Sequence, residues 1–197
     1  MKSEAAMKPA GSIPVPVIMI LSSLLLMSCM LPGMIPMNRE AAGPMPAMEK
    51  DPEALVQALR AGEFVYLQAL AEEQYTEEDF AKPGTLSFTV TVKDDKPTYF
   101  NYGWCTTTEE ILKQNFEHIQ VKLSFDGKEL GSDVVHPVTF TRPDGFVCLD
   151  FGVLMSDWSN GTYQLEAVAT FDEKINDGAA DFEAGDYIYE YNVTVNK

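Results

Sequence analysis

The densest cluster of groups able to do chemistry is acidic: Asp172, Glu173, Asn176, Asp177, Asp181, Glu183 and Asp186, with Gly178 and Gly185 among them. Ca²⁺ takes six to eight oxygen ligands, and acid-rich loops can supply them. The EF-hand order is missing, because counting back from Gly178 puts Glu173 and Ile175 at the first and third ligand positions. The run reads first as a solvated acidic loop and second as a Ca²⁺ site on Asp172, Asp177, Asp181, Glu183 and Asp186. No other cofactor is implied. The two histidines, His118 and His136, have no Cys or acidic partner at zinc-ligand spacing. Each reads as a surface or loop residue. A nucleophilic triad would need one of them, and no Gly-x-Ser-x-Gly elbow is present. A phosphate-binding Gly loop is also missing. The expectation is a protein that is not an enzyme. With 30 Asp and Glu, the alternative is an exported hydrolase using paired carboxylates. Met30, Met34, Met37, Met45 and Met48 carry soft thioether donors suited to Cu(I), but a compositionally biased linker is the plainer reading.

The chain of 197 residues has 14 Lys and Arg against 30 Asp and Glu, a net charge of −16. Such a surface excludes a nucleic-acid backbone as partner. Nine of the ten Met lie at or before Met48, and all aromatics lie at or after Phe64. Two different kinds of chain are joined here. Lys2 and Lys8 precede an apolar run from Ile13 to Met27. The run is shorter than the ~20 residues a spanning helix needs and reads as a secretory signal. It ends in Leu26-Met27-Ser28-Cys29. This resembles the lipobox of bacterial lipoproteins, with an aliphatic residue at −3 and a small one at −1. Met27 departs from the usual Ala, Val, Ser or Thr at −2. The resemblance implies that residues 1–28 are a signal peptide and that Cys29 is diacylated on sulfur. The acyl chains would then anchor the protein in the cell membrane or outer membrane, facing the extracytoplasmic side. An ordinary signal peptide with an incidental Cys, or an uncleaved short anchor, are the other readings.

The elements after the signal change character twice. Residues 29–50, Pro-rich and without a periodic face, read as the lipidated Cys and a disordered tether. Residues 51–84 read as a helical prefix. Asp51-Pro52-Glu53 opens a helix, and Leu55, Ala58, Leu59, then Tyr66, Leu67, Leu70 and Ala71 recur at helical spacing. Thr76 to Asp79 looks like a second small cap before Phe80. The acids at 72–79 read as a solvated face. From residue 85 to 197 the period is two. Seven strands are expected, around residues 85–92, 100–104, 119–125, 138–140, 147–151, 163–171 and 187–195. Thr107 and Glu110 have capping-box spacing and open one short inserted helix.

Seven short strands over about 110 residues fit an Ig-like antiparallel β-sandwich, so the chain is expected to be mainly β. Asn160-Gly161-Thr162-Tyr163-Gln164-Leu165 is similar to the Asp-x-Gly-x-Tyr-x-Cys corner of Ig domains, with Asn for Asp and Leu165 for Cys. In the Ig-like lettering Cys105 ends strand B and Cys148 begins strand E, which are antiparallel neighbours. Both cysteines also have the parity opposite to their strands' main apolar set. The resemblance therefore implies a Cys105–Cys148 disulfide, the alternative being two buried free thiols. The functional expectation is a membrane-anchored extracytoplasmic binding or structural module of the cell envelope. Its ligand or partner protein is not named by any motif.

Overall fold

The structure, a computed structural model, describes residues 43–71, 75–93 and 95–196. The expected signal peptide, Cys29 and, of the expected tether, Met30, Met34 and Met37 lie outside the described residues. In chain order the elements are β1 (Ala47–Met48), α1 (Pro52–Ala61), β2 (Val65–Tyr66), a 3₁₀ turn (Gln68–Leu70), α2 (Glu77–Phe80), β3 (Gly84–Val92) and β4 (Thr98–Thr106). Then follow α3 (Glu109–Asn115), β5 (Ile119–Phe125), β6 (Lys128–Glu129), β7 (His136–Thr141), β8 (Val147–Ser156), β9 (Gly161–Phe171), β10 (Ile175–Asn176), β11 (Asp181–Phe182) and β12 (Gly185–Val195). The chain is mainly β, and each of the seven expected strands is present.

Two five-stranded sheets carry the long strands. In the first, β1 and β7 pair with different stretches of β8, β8 pairs with β4, and β4 pairs with β2. The second runs β3-β12-β9-β5-β6. Both are mixed rather than wholly antiparallel as expected, because β2 runs parallel to β4 and β3 parallel to β12. Period-two patterning sets the inward faces. Along β12, Tyr187, Tyr189, Tyr191, Val193 and Val195 are buried while Asp186 and Asn192 are exposed. Inward residues of both sheets share one hydrophobic core, with Phe100, Trp104 and Val153 from the first and Phe88, Leu165 and Phe171 from the second. Trp104 meets Phe171 edge-on at 5.2 Å between ring centroids, and Phe100 meets Tyr191 at 5.9 Å.

The prefix departs from its helical reading after residue 61. Asp51 caps α1 by accepting the Glu53 N–H, as its sequence predicts. Gly62 ends the helix in the left-handed region (φ 69°), its N–H bonded back to the Ala58 and Leu59 carbonyls. Val65 and Tyr66 then pair with the β4 edge instead of continuing a helix. Paired backbone there satisfies groups that a second helix would leave orphaned. Thr76 and Asp79 do form the expected capping box on α2. The α3 cap is one residue later than read, on Thr108, whose hydroxyl accepts the Ile111 N–H.

Candidate functional site

The outward face of the first sheet is built in rungs across β4, β8 and β7. Tyr99 faces Leu154, Asn101 faces Gly152 and His136, Gly103 faces Asp150 and Val138, and Cys105 faces Cys148 and Phe140. The two glycines in this set make room. A Cβ on Gly103 would sit 2.0 Å from Asp150 Oδ1, and one on Gly152 would sit 2.3 Å from the Tyr99 hydroxyl. Asp150 therefore lies across Gly103, and the Tyr99 ring lies over Gly152. The amphipathic face of α1 covers part of this surface, where Leu55, Ala58 and Leu59 pack with Phe64, Tyr99, Leu154 and Val138.

A cavity of about 430 Å³ remains between α1 and β7. Val56, Leu59 and Arg60 come from α1, Tyr66 from β2, Pro137 through Phe140 from β7, and Asp150 from β8. Asp150 is only 5% exposed. Its Oδ2 accepts from Asn101 Nδ2 at 2.9 Å, and that is its one hydrogen bond among the described residues. Burial pushes its carboxyl up to about 6, against a smaller lowering by the Asn101 bond. The Tyr66 phenol is raised by burial first and by the Asp150 charge second, and the Tyr99 phenol is raised for the same two reasons. The Tyr99 hydroxyl and Asn101 Oδ1 are buried without a hydrogen-bond partner among the described residues. Phe64, Tyr66 and Tyr99 meet edge-on, at centroid distances of 4.7 to 5.8 Å.

Cys105 and Cys148 are bridged, with their α-carbons 4.0 Å apart and S–S at 2.07 Å. Their direct register across β4 and β8 and shared parity are what permit the bond.

The acids of the 172–186 segment are scattered among separate partners. Asp172 meets His118 Nδ1 at 2.9 Å, and Glu173 lies 3.4 Å from its Nε2. Asp177 Oδ1 accepts the Ala179 and Ala180 N–H groups in the turn of the β10–β11 hairpin. Asp181 and Glu183 share Lys174, at 3.2 and 3.1 Å, and Asp186 accepts from the Thr170 hydroxyl. Among the described residues no group of three Asp, Glu, His or Cys is placed to hold a metal ion. The geometry does not gather Asp172, Asp177, Asp181, Glu183 and Asp186 around one point, because a hairpin separates them and Lys174 neutralises two. His118 is half-exposed, and its hydrogen bond to Asp172 raises its pKa. His136 departs from its reading as a surface or loop residue, being 8% exposed within β7.

Asp150 was not legible as a site residue. The signal was nonetheless present: a lone acid at the cysteine parity of an apolar strand, Val147-Cys148-Leu149-Asp150-Phe151.

No protein-family model matches the chain, and no curated protein matches it. A solved structure of PbICP-C in complex with falcipain-2 is similar over 68% of this chain and 100% of that one, with 9% identity and a TM-score of 0.35. That likeness is too distant to carry a fold, an activity or a partner across.

Proposed function

We propose that this chain is a lipid-anchored extracytoplasmic protein whose Ig-like β-sandwich acts as a non-enzymatic binding module of the cell envelope. The Ig-like reading is supported by pairing order. β7-β8-β4 corresponds to strands D-E-B, and β3-β12-β9-β5-β6 to A′-G-F-C-C′. The Tyr163 hydroxyl donates to the Ser159 carbonyl at 3.0 Å, the bond expected of a tyrosine corner at the start of strand F. The observation that carries the cellular reading is the Cys105–Cys148 bridge, because such bonds persist in exported proteins and are rare in the cytosol. It agrees with the apolar run that ends at Cys29. A binding role is supported by the Asp150 cavity, whose described lining holds one carboxylate rather than the pair a glycoside hydrolase uses.

Two acyl chains suffice for stable anchoring, so Cys29 alone is expected to hold the protein at the membrane. Wild type expressed in a bacterial host should fractionate with membranes and incorporate labelled fatty acid. Cys29→Ala should lose the label and leave the membrane fraction. Equal labelling of both would reject the anchor.

A further inference from the structure

We propose that the cavity between α1 and β7 binds a small organic amine, its ammonium on Asp150 and its apolar body against α1 and β7. This deepens the binding-module reading and rests on it, but it does not depend on the lipid anchor. Asp150 is the starting point. A carboxylate 95% buried is normally paired or fully hydrogen-bonded, since an isolated buried charge is strongly disfavoured. Here Oδ2 takes one amide N–H and Oδ1 takes none, while the side chain lines a cavity of about 430 Å³. Described partners lie within ion-pair distance of Lys50, Lys82, Arg142 and Lys174, and none of these reaches Asp150.

The surroundings suit an ammonium better than other cations. Val56, Leu59, Pro137 and Val138 offer apolar wall, which a hydrated metal ion would not use. The rings of Tyr66 and Phe140 line the same space, and aromatic faces attract organic cations. Small-molecule sites of this kind combine a mostly apolar lining with few fixed polar groups. Gly103 supports the assignment, because any side chain there would displace the carboxylate from its present position.

Arg60 of α1 and Tyr66 of β2 line the cavity with Asp150, whose charge also acts on Tyr99 of β4. His136 of β7 lies on the same sheet face, one rung away opposite Gly152. Arg60 is exposed at the mouth, in the last turn of α1, where a cation complements the helix dipole. It opposes a second positive charge and favours a ligand whose ammonium passes inward. Both tyrosines stay neutral through the physiological range. Asp150 is then the group whose ionisation gates amine binding, and the carboxylate is the binding form.

The test uses the full chain in detergent, with hexylamine as probe and hexanol as its neutral counterpart, followed by calorimetry. Hexylamine should bind and hexanol should bind at least tenfold more weakly. Hexylamine remains charged across the range, as an ordinary alkylamine does. Its affinity should fall about tenfold from pH 7.5 to pH 5 as Asp150 takes up its proton. Asp150→Asn should abolish that pH dependence and weaken hexylamine at least tenfold. Val56→Trp, at a half-buried position of α1 that lines the cavity, should also weaken it by narrowing the space. If Asp150→Asn lacks the wild-type near-ultraviolet spectrum, Val56→Trp and the wild-type pH profile decide the matter. Equal binding of hexylamine and hexanol, a flat pH profile, or no binding of hexylamine would overturn the proposal. Those outcomes leave the anchor at Cys29 untouched, and loss of the anchor leaves the amine site untouched.

Discussion

Asp150 is where residue-level chemistry departs most from ordinary behaviour. Burial raises its carboxyl to about 6, above the roughly 4 of an unfolded chain. The folded protein therefore holds this proton more tightly than the unfolded chain does. The resulting contribution to stability is complete below about pH 4 and is lost as pH rises through about 6, a span of roughly 3 kcal/mol. Asp150→Asn keeps the shape and removes the charge. It should be more stable than wild type by about 1–3 kcal/mol at pH 8, with the gap closing to within about 1 kcal/mol near pH 4. Urea unfolding at both pH values checks this, and a variant less stable than wild type at pH 8 would mean that the carboxylate is well compensated. Sequence reading did not single out Asp150, and the reason is physical. Its setting depends on Gly103 and Asn101, which are neighbours through strand pairing and nearly fifty positions away along the chain. The cysteines were legible because strand parity is a local property, and their opposed positions follow once β4 and β8 are paired.

At the scale of elements, the bridge staples β4 to β8 one rung from Asp150 on the same sheet face. It closes a loop with a sequence separation of 43 residues. On the chain-entropy view that constraint stabilises the fold by roughly 4 kcal/mol. Cys105→Ala with Cys148→Ala should lower the unfolding free energy by about that amount in urea, and reduction of wild type should reproduce the loss. A change below about 1 kcal/mol would show that the strands hold each other without the bond. Strands such as β9 and β12 were readable because each has one face in the core and so alternates cleanly. The two-residue strands carry too few side chains to show any period. Residues 62–71 misled because Tyr66, Leu67, Leu70 and Ala71 have helical spacing. Only the left-handed Gly62 and the free edge of β4 divert the chain into β2 and a 3₁₀ turn. The acidic segment looked like one cluster in one dimension. Folded, it is a hairpin whose carboxylates bond to His118, Lys174, Thr170 and their own turn.

For the molecule as a whole, a net charge of −16 favours a solvated surface and disfavours close contact with anionic lipid. Among the described residues no helix is long and apolar enough to cross a membrane. The proposed lipid on Cys29 would reconcile these two properties, because it would hold the domain near the bilayer without docking it there. The most direct measurement is the mass of the N-terminal peptide of the mature protein recovered from membranes. The lipid-anchored reading predicts a chain that begins at Cys29 and carries a diacylglyceryl group on its sulfur. A mature chain that retains residues 1–28, or that begins elsewhere with Cys29 unmodified, would contradict it.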